Sequence, residues 1–449
     1  MTSILMAATA TPGHVYPLLD IGEYLVSRGH TLHFLTGSLF QDAVEKRGIH
    51  FTPFDPAVDF DYRNLHENFP DRDLMPPDDE QMALALREYF AGAVPVLDQC
   101  VRRFIAQHQT DLVLIENTFY GLLPLLGEPS SQRPPVLCVG VTPLSYSSID
   151  SVFYGPRIPP QVRPAHLTRE QWIGPHTIRL IEEVDDSFNN ALAAHGYPPM
   201  PASFSDAMVL GVDHFLQLST KAFEYARDDL PAHVQFVGPL RDRQTPTSTG
   251  NHAIGDDHPI VLVTQGTLAN VDLEQLIAPA IRAFADQPVH VLIALGGRPA
   301  DALPAALPGN VHVIDFTDFA YWLARATVLI SNGGYGSVHK ALARGVPLIV
   351  AGTGEDKKEA ATRVDWAGCG INLRTGYATP EALLHALNKI LDNELYRWRA
   401  AVIQKHFDTT DARDSIEQSV QCLAQSRLPT VAQHDPNRNG IHQREVLMD

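Results

Sequence analysis

Residues 328–364 read VLISNGGYGSVHKALARGVPLIVAGTGEDKKEAATRV, and this stretch decides the architecture. Val328, Leu329 and Ile330, preceded by Thr327, form a short β-type run that enters Ser331-Asn332-Gly333-Gly334-Tyr335-Gly336-Ser337. An Ala- and Leu-bearing helical stretch follows, as far as Gly345. A strand that turns through glycines into a helix aims free backbone N–H groups at one point, where an anion can sit. Glycine there permits positive φ and lets a ligand approach the main chain closely. After Gly345-Val346-Pro347 comes a second apolar strand, 348–351, and then the charged run Glu355-Asp356-Lys357-Lys358-Glu359. Phosphates at the first turn and polar contacts after the next strand suit a nucleotide sugar.

The same rhythm extends outward in both directions. An apolar run at 4–8 leads through Thr9-Ala10-Thr11-Pro12-Gly13-His14 into a helix with Leu18, Leu19, Ile21, Leu25 and Val26 on one face. Strands are expected at 31–36, 112–115 and 136–141, and a helix at 84–107. The second half opens with a strand at 260–264, turns at Gln265-Gly266-Thr267 and alternates strand with helix to about residue 391. Alternation of this kind implies a parallel sheet in each half, hence an α/β fold of two Rossmann-like domains. The expected division is 1–240 and 260–394, with a polar linker at 241–259. A helical stretch at 395–426 follows, and then a frayed polar tail at 427–449.

The chain has 449 residues, 45% of them hydrophobic, enough for two full cores. A formal charge of −18 argues against nucleic acid or an anionic membrane as main partner. Four scattered cysteines (Cys100, Cys138, Cys369, Cys422) contain no CxxC pair and read as reduced thiols of a cytoplasmic protein. The first residues lack a basic n-region and read as a strand, not a signal peptide. No apolar run approaches the ~18–20 residues a membrane span needs.

The 328–364 segment resembles the donor-binding motif of the GT-B inverting glycosyltransferases that use nucleotide sugars. Within that superfamily it is most similar to the bacterial macrolide and natural-product branch, related to UDP-glucuronosyltransferases and plant secondary-metabolite enzymes. The resemblance spans roughly residues 3–423. It implies a general base at His14, since Thr11-Pro12-Gly13-His14-Val15-Tyr16-Pro17-Leu18 matches the family's opening motif. It also implies a carboxylate partner for that histidine at the end of the strand beginning Asp111-Leu112-Val113. The family has aspartate there; this chain has Glu116.

For the donor, the resemblance assigns the diphosphate to Gly333, Gly334, Gly336 and Ser337, and to Gly266 and Thr267. Asn332 stands where the family usually carries histidine. Phe316 falls where a tryptophan commonly stacks on uracil, and Asp356-Lys357 replaces the Asp-Gln that contacts sugar hydroxyls. Lysine donates only and carries charge, so a deoxysugar or a hexose other than glucose becomes plausible. The resemblance implies a UDP- or TDP-sugar as co-substrate, with no resident cofactor expected. The triplets Asp59-Phe60-Asp61 and Asp71-Arg72-Asp73 read as solvated loop carboxylates, and no metal is required. An apolar, hydroxyl-bearing small-molecule acceptor is expected against Phe60, Phe69, Met75, Phe119, Tyr120, Tyr146, Phe153 and Tyr154. The assembly is a monomer or homodimer.

Two other classes use similar residues. A nicotinamide-dependent oxidoreductase needs GxGxxG, whose last glycine is missing from Gly334-Tyr335-Gly336-Ser337-Val338-His339. A catalytically impaired binding protein of the same fold is suggested by Glu116, Asn332 and Lys357. A sugar-nucleotide epimerase or cell-wall lipid glycosyltransferase shares the architecture.

Overall fold

The structure is a computed structural model that describes residues 1–61, 67, 69–73, 75, 79–147, 164, 166–241, 254–255, 257–267, 270, 272–303 and 306–425. Two all-parallel sheets are present. The first runs in the order β3-β2-β1-β4-β5-β6-β7, the second β10-β9-β8-β11-β12-β13. Strands of the first are β1 (Ser3–Ala7), β2 (Thr31–Thr36), β3 (His50–Pro53), β4 (Leu112–Glu116), β5 (Val136–Gly140), β6 (His214–Gln217) and β7 (Val234–Phe236). Those of the second are β8 (Ile260–Thr264), β9 (His290–Ala294), β10 (Val311–Ile314), β11 (Val328–Ser331), β12 (Leu348–Val350) and β13 (Gly370–Asn372). Strands buried on both faces carry unbroken apolar runs, and β4, β5, β8 and β11 are buried at every position.

In both sheets the strand order reverses once. The reversal lies between β1 and β4 in the first sheet and between β8 and β11 in the second. Connections leaving adjacent strands in opposite directions open a crevice at the carboxyl edge, where open α/β sheets bind ligands. The registers Ala7↔Ile115 and Thr264↔Ser331 bring the strand ends level. His14 follows β1, Glu116 ends β4, Gly266 follows β8, and Asn332 follows β11. All four therefore sit at switch points.

The first sheet shares one core with helices Pro12–Ser27, Gly92–Gln107 and Pro175–Ala193. The second sheet has a separate core on each face. Phe223, from the segment after β6, is fully buried in one of these, so a piece of the first half is planted in the second. The expected final helical stretch is two helices. Leu395–Asp408 packs Ala400, Ile403 and Phe407 into the second half. Ala412–Gln425 packs Ile416, Val420 and Leu423 into the first. Thr409, Thr410 and Asp411 separate them, and side chains pin the second helix to Pro12–Ser27 and its C-cap: Arg28 Nε meets Glu417 at 2.7 Å, and Arg413 pairs with Asp20. No individual elements were expected at β6, β7, Pro175–Ala193 or Phe204–Gly211. Strands β6 and β7 are only four and three residues long, whereas Leu180, Val184, Phe188 and Leu192 recur every fourth residue along Pro175–Ala193, which is a helical signal.

Among the described residues no helix is long and apolar enough to cross a membrane. The cysteines are free, three of them buried and Cys422 exposed.

Candidate active site

Helix Pro12–Ser27 starts with proline at its first position, where the missing N–H costs nothing. This start puts His14 in the first turn, beside the end of β4. His14 Nδ1 lies 2.9 Å from Glu116 Oε2. Glu116 is fully buried and is satisfied on both oxygens. Oε1 accepts from the Thr9 amide at 3.0 Å, and Oε2 accepts from the Thr118 amide at 2.7 Å. The Thr118 hydroxyl is 2.9 Å from Oε2, 3.0 Å from Oε1 and 3.1 Å from His14 Nδ1. Two backbone donors and one hydroxyl thus hold the longer glutamate side chain in place beneath the ring.

Burial pushes the Glu116 carboxyl up, but the adjacent imidazole and the donated N–H groups outweigh it and leave it below its ordinary 4.5. Glu116 is therefore ionised and accepts from Nδ1–H, which fixes the tautomer with the lone pair on Nε2. Burial likewise pushes His14 down. The Glu116 charge and hydrogen bond, then the charges of Asp356 and Glu355, outweigh it and raise His14 above 6.5. Asp356 and Glu355 precede helix Lys357–Trp366 of the second half. The histidine of one switch point thus faces the region beside the other.

In the second half the glycines are set by close approach. Gly266 and Gly333 have φ of 74° and 86°. A Cβ on Gly352 would lie 1.9 Å from the Asn332 carbonyl oxygen, and one on Gly296 would lie 2.0 Å from that of Gly266. Gly296→Ala, at φ 64°, is therefore expected to cost about 1–3 kcal/mol, read as a lower urea midpoint. The N-cap of helix Tyr335–Leu342 is Gly334, which has no side chain to bond the first amides.

Asn332 Nδ2 donates to the Gln265 carbonyl at 2.5 Å, and its oxygen accepts from the Gly334 amide at 3.4 Å. In this conformation its amide ties the β8 and β11 turns together. The Ser337 hydroxyl donates to the Gly334 carbonyl at 2.7 Å. Gly336 lies in the first turn and Thr267 is exposed. Asp356 is the N-cap of Lys357–Trp366; burial raises its carboxyl above 3.8, against the pull of Lys357. Lys357 is 7% exposed and its ammonium is paired with Glu355, itself at positive φ. The cation replacing the family's glutamine is thus neutralised locally. Phe316 begins a short turn after β10; its side chain lies outside the described residues.

Beside the dyad is an apolar recess lined by Thr9, Phe54, Tyr89, Phe90, Thr118 and Tyr120, among others. Tyr89 and Phe90 come from a π-wound segment, Leu86–Ala91, which interrupts the helical run Asp79–Gln107. Phe60 and Phe69 reach Tyr89 at ring separations of 5.8 and 5.5 Å. Of the expected acceptor residues, Tyr120 lines the recess and Phe119 stacks on Phe54 at 6.2 Å. Tyr146 is partly buried; Phe153 and Tyr154 lie outside the described residues. Asp59 accepts from the Ser38 amide at 3.0 Å. Among the described residues no group of three or more His, Cys, Asp or Glu could hold a metal.

Contacts near the crevice fix the halves together. Gln217 Nε2 donates to the Tyr335 hydroxyl at 3.1 Å, and Ser219 Oγ meets His339 Nε2 at 3.0 Å. Burial pushes His339 down to about 4, so it is neutral. Arg363 and Glu224, both 1% exposed, pair at 2.5 Å. Removing either partner would strand a buried charge. Thr9, Thr118 and Glu224 were not singled out from the sequence, because single polar residues outside a motif carry no local signal.

A family model described as "Erythromycin biosynthesis protein CIII-like, C-terminal domain" matches residues 280–419. The chain is 31% identical over 438 residues to UDP-glycosyltransferase 2 of Phaeomoniella chlamydospora, covering 94% of this chain and 95% of that protein. It is 31% identical over 429 residues to 4'-demethylrebeccamycin synthase of Lentzea aerocolonigenes, covering 94% and 98%. Among solved structures, the kitacinnamycin glycosyltransferase aligns with a TM-score of 0.70 at 18% identity, covering 94% and 98%. The calicheamicin glycosyltransferase aligns at 0.69 and 20%, covering 96% and 100%. At such identities the structural likeness shows the fold, which is GT-B.

Proposed function

The chain is a glycosyltransferase of the UDP-glycosyltransferase superfamily, and on that premise we propose that it moves a sugar from a UDP- or TDP-sugar to a hydroxyl of a mostly apolar natural product, with inversion and His14 as general base. The observation that carries this reading is the His14–Glu116 pair at the β1/β4 switch point, coupled by charge to Asp356 and Glu355 beside the glycine turns. The acceptor hydroxyl gives its proton to His14 Nε2 while its oxygen bonds the anomeric carbon. The bond from that carbon to the diphosphate oxygen breaks, and the electron pair leaves with the nucleoside diphosphate. Glu116 stabilises the imidazolium without taking the proton. Inversion follows if the acceptor enters from the first half while the leaving group is held in the second, on opposite faces of the sugar.

Backbone amides at Tyr335 and Gly336 and the turn at Gly266–Thr267 supply hydrogen bonds to the developing charge. Asp356 accepts from sugar hydroxyls. Tyr89, Phe90 and Tyr120 present uncharged surface beside the dyad, against which an apolar acceptor would lie. Relatives named 4'-demethylrebeccamycin synthase and demethyllactenocin mycarosyltransferase support small natural products as acceptors. Relatives named UDP-glucosyltransferase, and a solved neighbour complexed with thymidine diphosphate, support the two donor bases. No resident cofactor or metal enters this scheme.

A panel of UDP, TDP and their sugars, screened by thermal shift, tests the reading. A true donor nucleotide at a hundredfold excess over Kd should stabilise the protein by about 2.7 kcal/mol. Incubation with hydroxylated aglycones should then add one sugar mass to product, with inverted anomeric configuration by NMR. No shift with any nucleoside diphosphate would overturn the proposal.

A further inference from the structure

A departing diphosphate concentrates negative charge, which glycine turns and helix-start amides offset only in part. The chain is itself acidic, and Glu116, Glu355 and Asp356 surround this crevice. A cation is needed. Among the described residues, four cations follow strands at the carboxyl edge of the second sheet: Arg298 after β9, Lys357 and Lys358 after β12, and Arg374 after β13. Three are already held by carboxylates. Lys357 pairs with Glu355, Lys358 with Asp79 at 3.2 Å, and Arg374 with Asp365 at 3.1 Å.

Arg298 differs. Its side chain bonds a neutral group: Nε donates to Asn270 Oδ1 at 3.3 Å. Asn270 is buried and aims its Nδ2 at the carbonyls of Gly266 and Leu295, each at 3.0 Å. The guanidinium is thus two hydrogen bonds away from the Gly266 turn. Gly296 and Gly297, at φ 64° and 93°, swing the chain round so that the β9 turn lies directly on the β8 turn. With Nε engaged, the end-on pair Nη1 and Nη2 remains, and that fork can bridge two phosphate oxygens.

We infer that Arg298, oriented by Asn270, binds the donor diphosphate and supplies the positive charge that receives the leaving group. The inference rests on the nucleotide-sugar reading above. Its test is calorimetric titration of wild type, Arg298→Gln and Arg298→Lys with UDP, TDP, uridine and thymidine. Arg298→Gln should lose about 10- to 100-fold in affinity for the nucleoside diphosphate that wild type binds, with nucleoside affinity and the urea midpoint unchanged. Arg298→Lys should recover part of that loss. Equal diphosphate binding by wild type and Arg298→Gln would overturn the assignment of Arg298 alone. An equal loss for nucleoside and diphosphate would do the same, since it marks a role at the base or in the fold. A wild type that binds neither diphosphate would overturn the donor reading itself, and Arg298 with it.

Discussion

His14→Ala is expected to lower kcat by about 10²- to 10⁴-fold while leaving nucleotide binding intact. Among the described residues the His14 imidazole is the group at the β1/β4 crevice whose free nitrogen is a base near neutral pH, and Glu116 already holds its other nitrogen. Its side chain is 19% exposed, so its loss opens no large core cavity, and the fold should persist. The measurement is single-turnover transfer alongside UDP or TDP titration. A variant that transfers sugar at a near-normal rate with donor bound would sink His14 as base. Because His14 is raised above 6.5, and only the neutral ring can accept a proton, wild-type kcat/KM should rise as pH climbs through that raised value.

Glu116→Gln is the second large effect, about 10³-fold in kcat, by loss of the tautomer-fixing charge. Both Glu116 oxygens accept backbone N–H groups, from Thr9 and Thr118, so either orientation of the new amide sets an N–H against an N–H. Some stability should therefore go as well. The pH profile separates the two consequences. Without the carboxylate, burial dominates and the His14 pKa falls, so the acid limb of kcat/KM should move to lower pH even as the plateau drops. An acid limb left in place would show that Glu116 does not set the charge state of His14. Glu116→Asp asks a different question: it keeps the charge on an arm one methylene shorter, so contact with His14 competes with the hydrogen bonds from the two amides. An intermediate loss is expected, with the limb near its wild-type position.

Much of this site was legible because its signals are local. A β run followed by Asn332-Gly333-Gly334 and a helix is a backbone device, and glycine is required wherever φ is positive or a Cβ would strike a neighbouring carbonyl. Pro12 ahead of His14 marks a helix start in the same way. Roles that depend on who stands opposite were harder to read. Asn332 matched a phosphate-binding position, yet its amide faces Gln265, 67 residues earlier. Lys357 matched a sugar-binding position, yet its charge is closed off by Glu355. Arg298 lies outside any motif and gains meaning only where the β9 turn abuts β8.

From its residues alone this chain specified two parallel α/β halves and the glycine turns, whereas the pairing of a first-turn histidine with a strand-end carboxylate was implied only by the family resemblance. Apolar alternation, proline and glycine act within a few residues of themselves. Tertiary structure decided which strand ends are neighbours, and hence that Glu116 is clamped by Thr9 and Thr118 and that His14 feels Asp356. Strand order is set by how whole sheets and helices bury their faces, and no short window of sequence contains that competition.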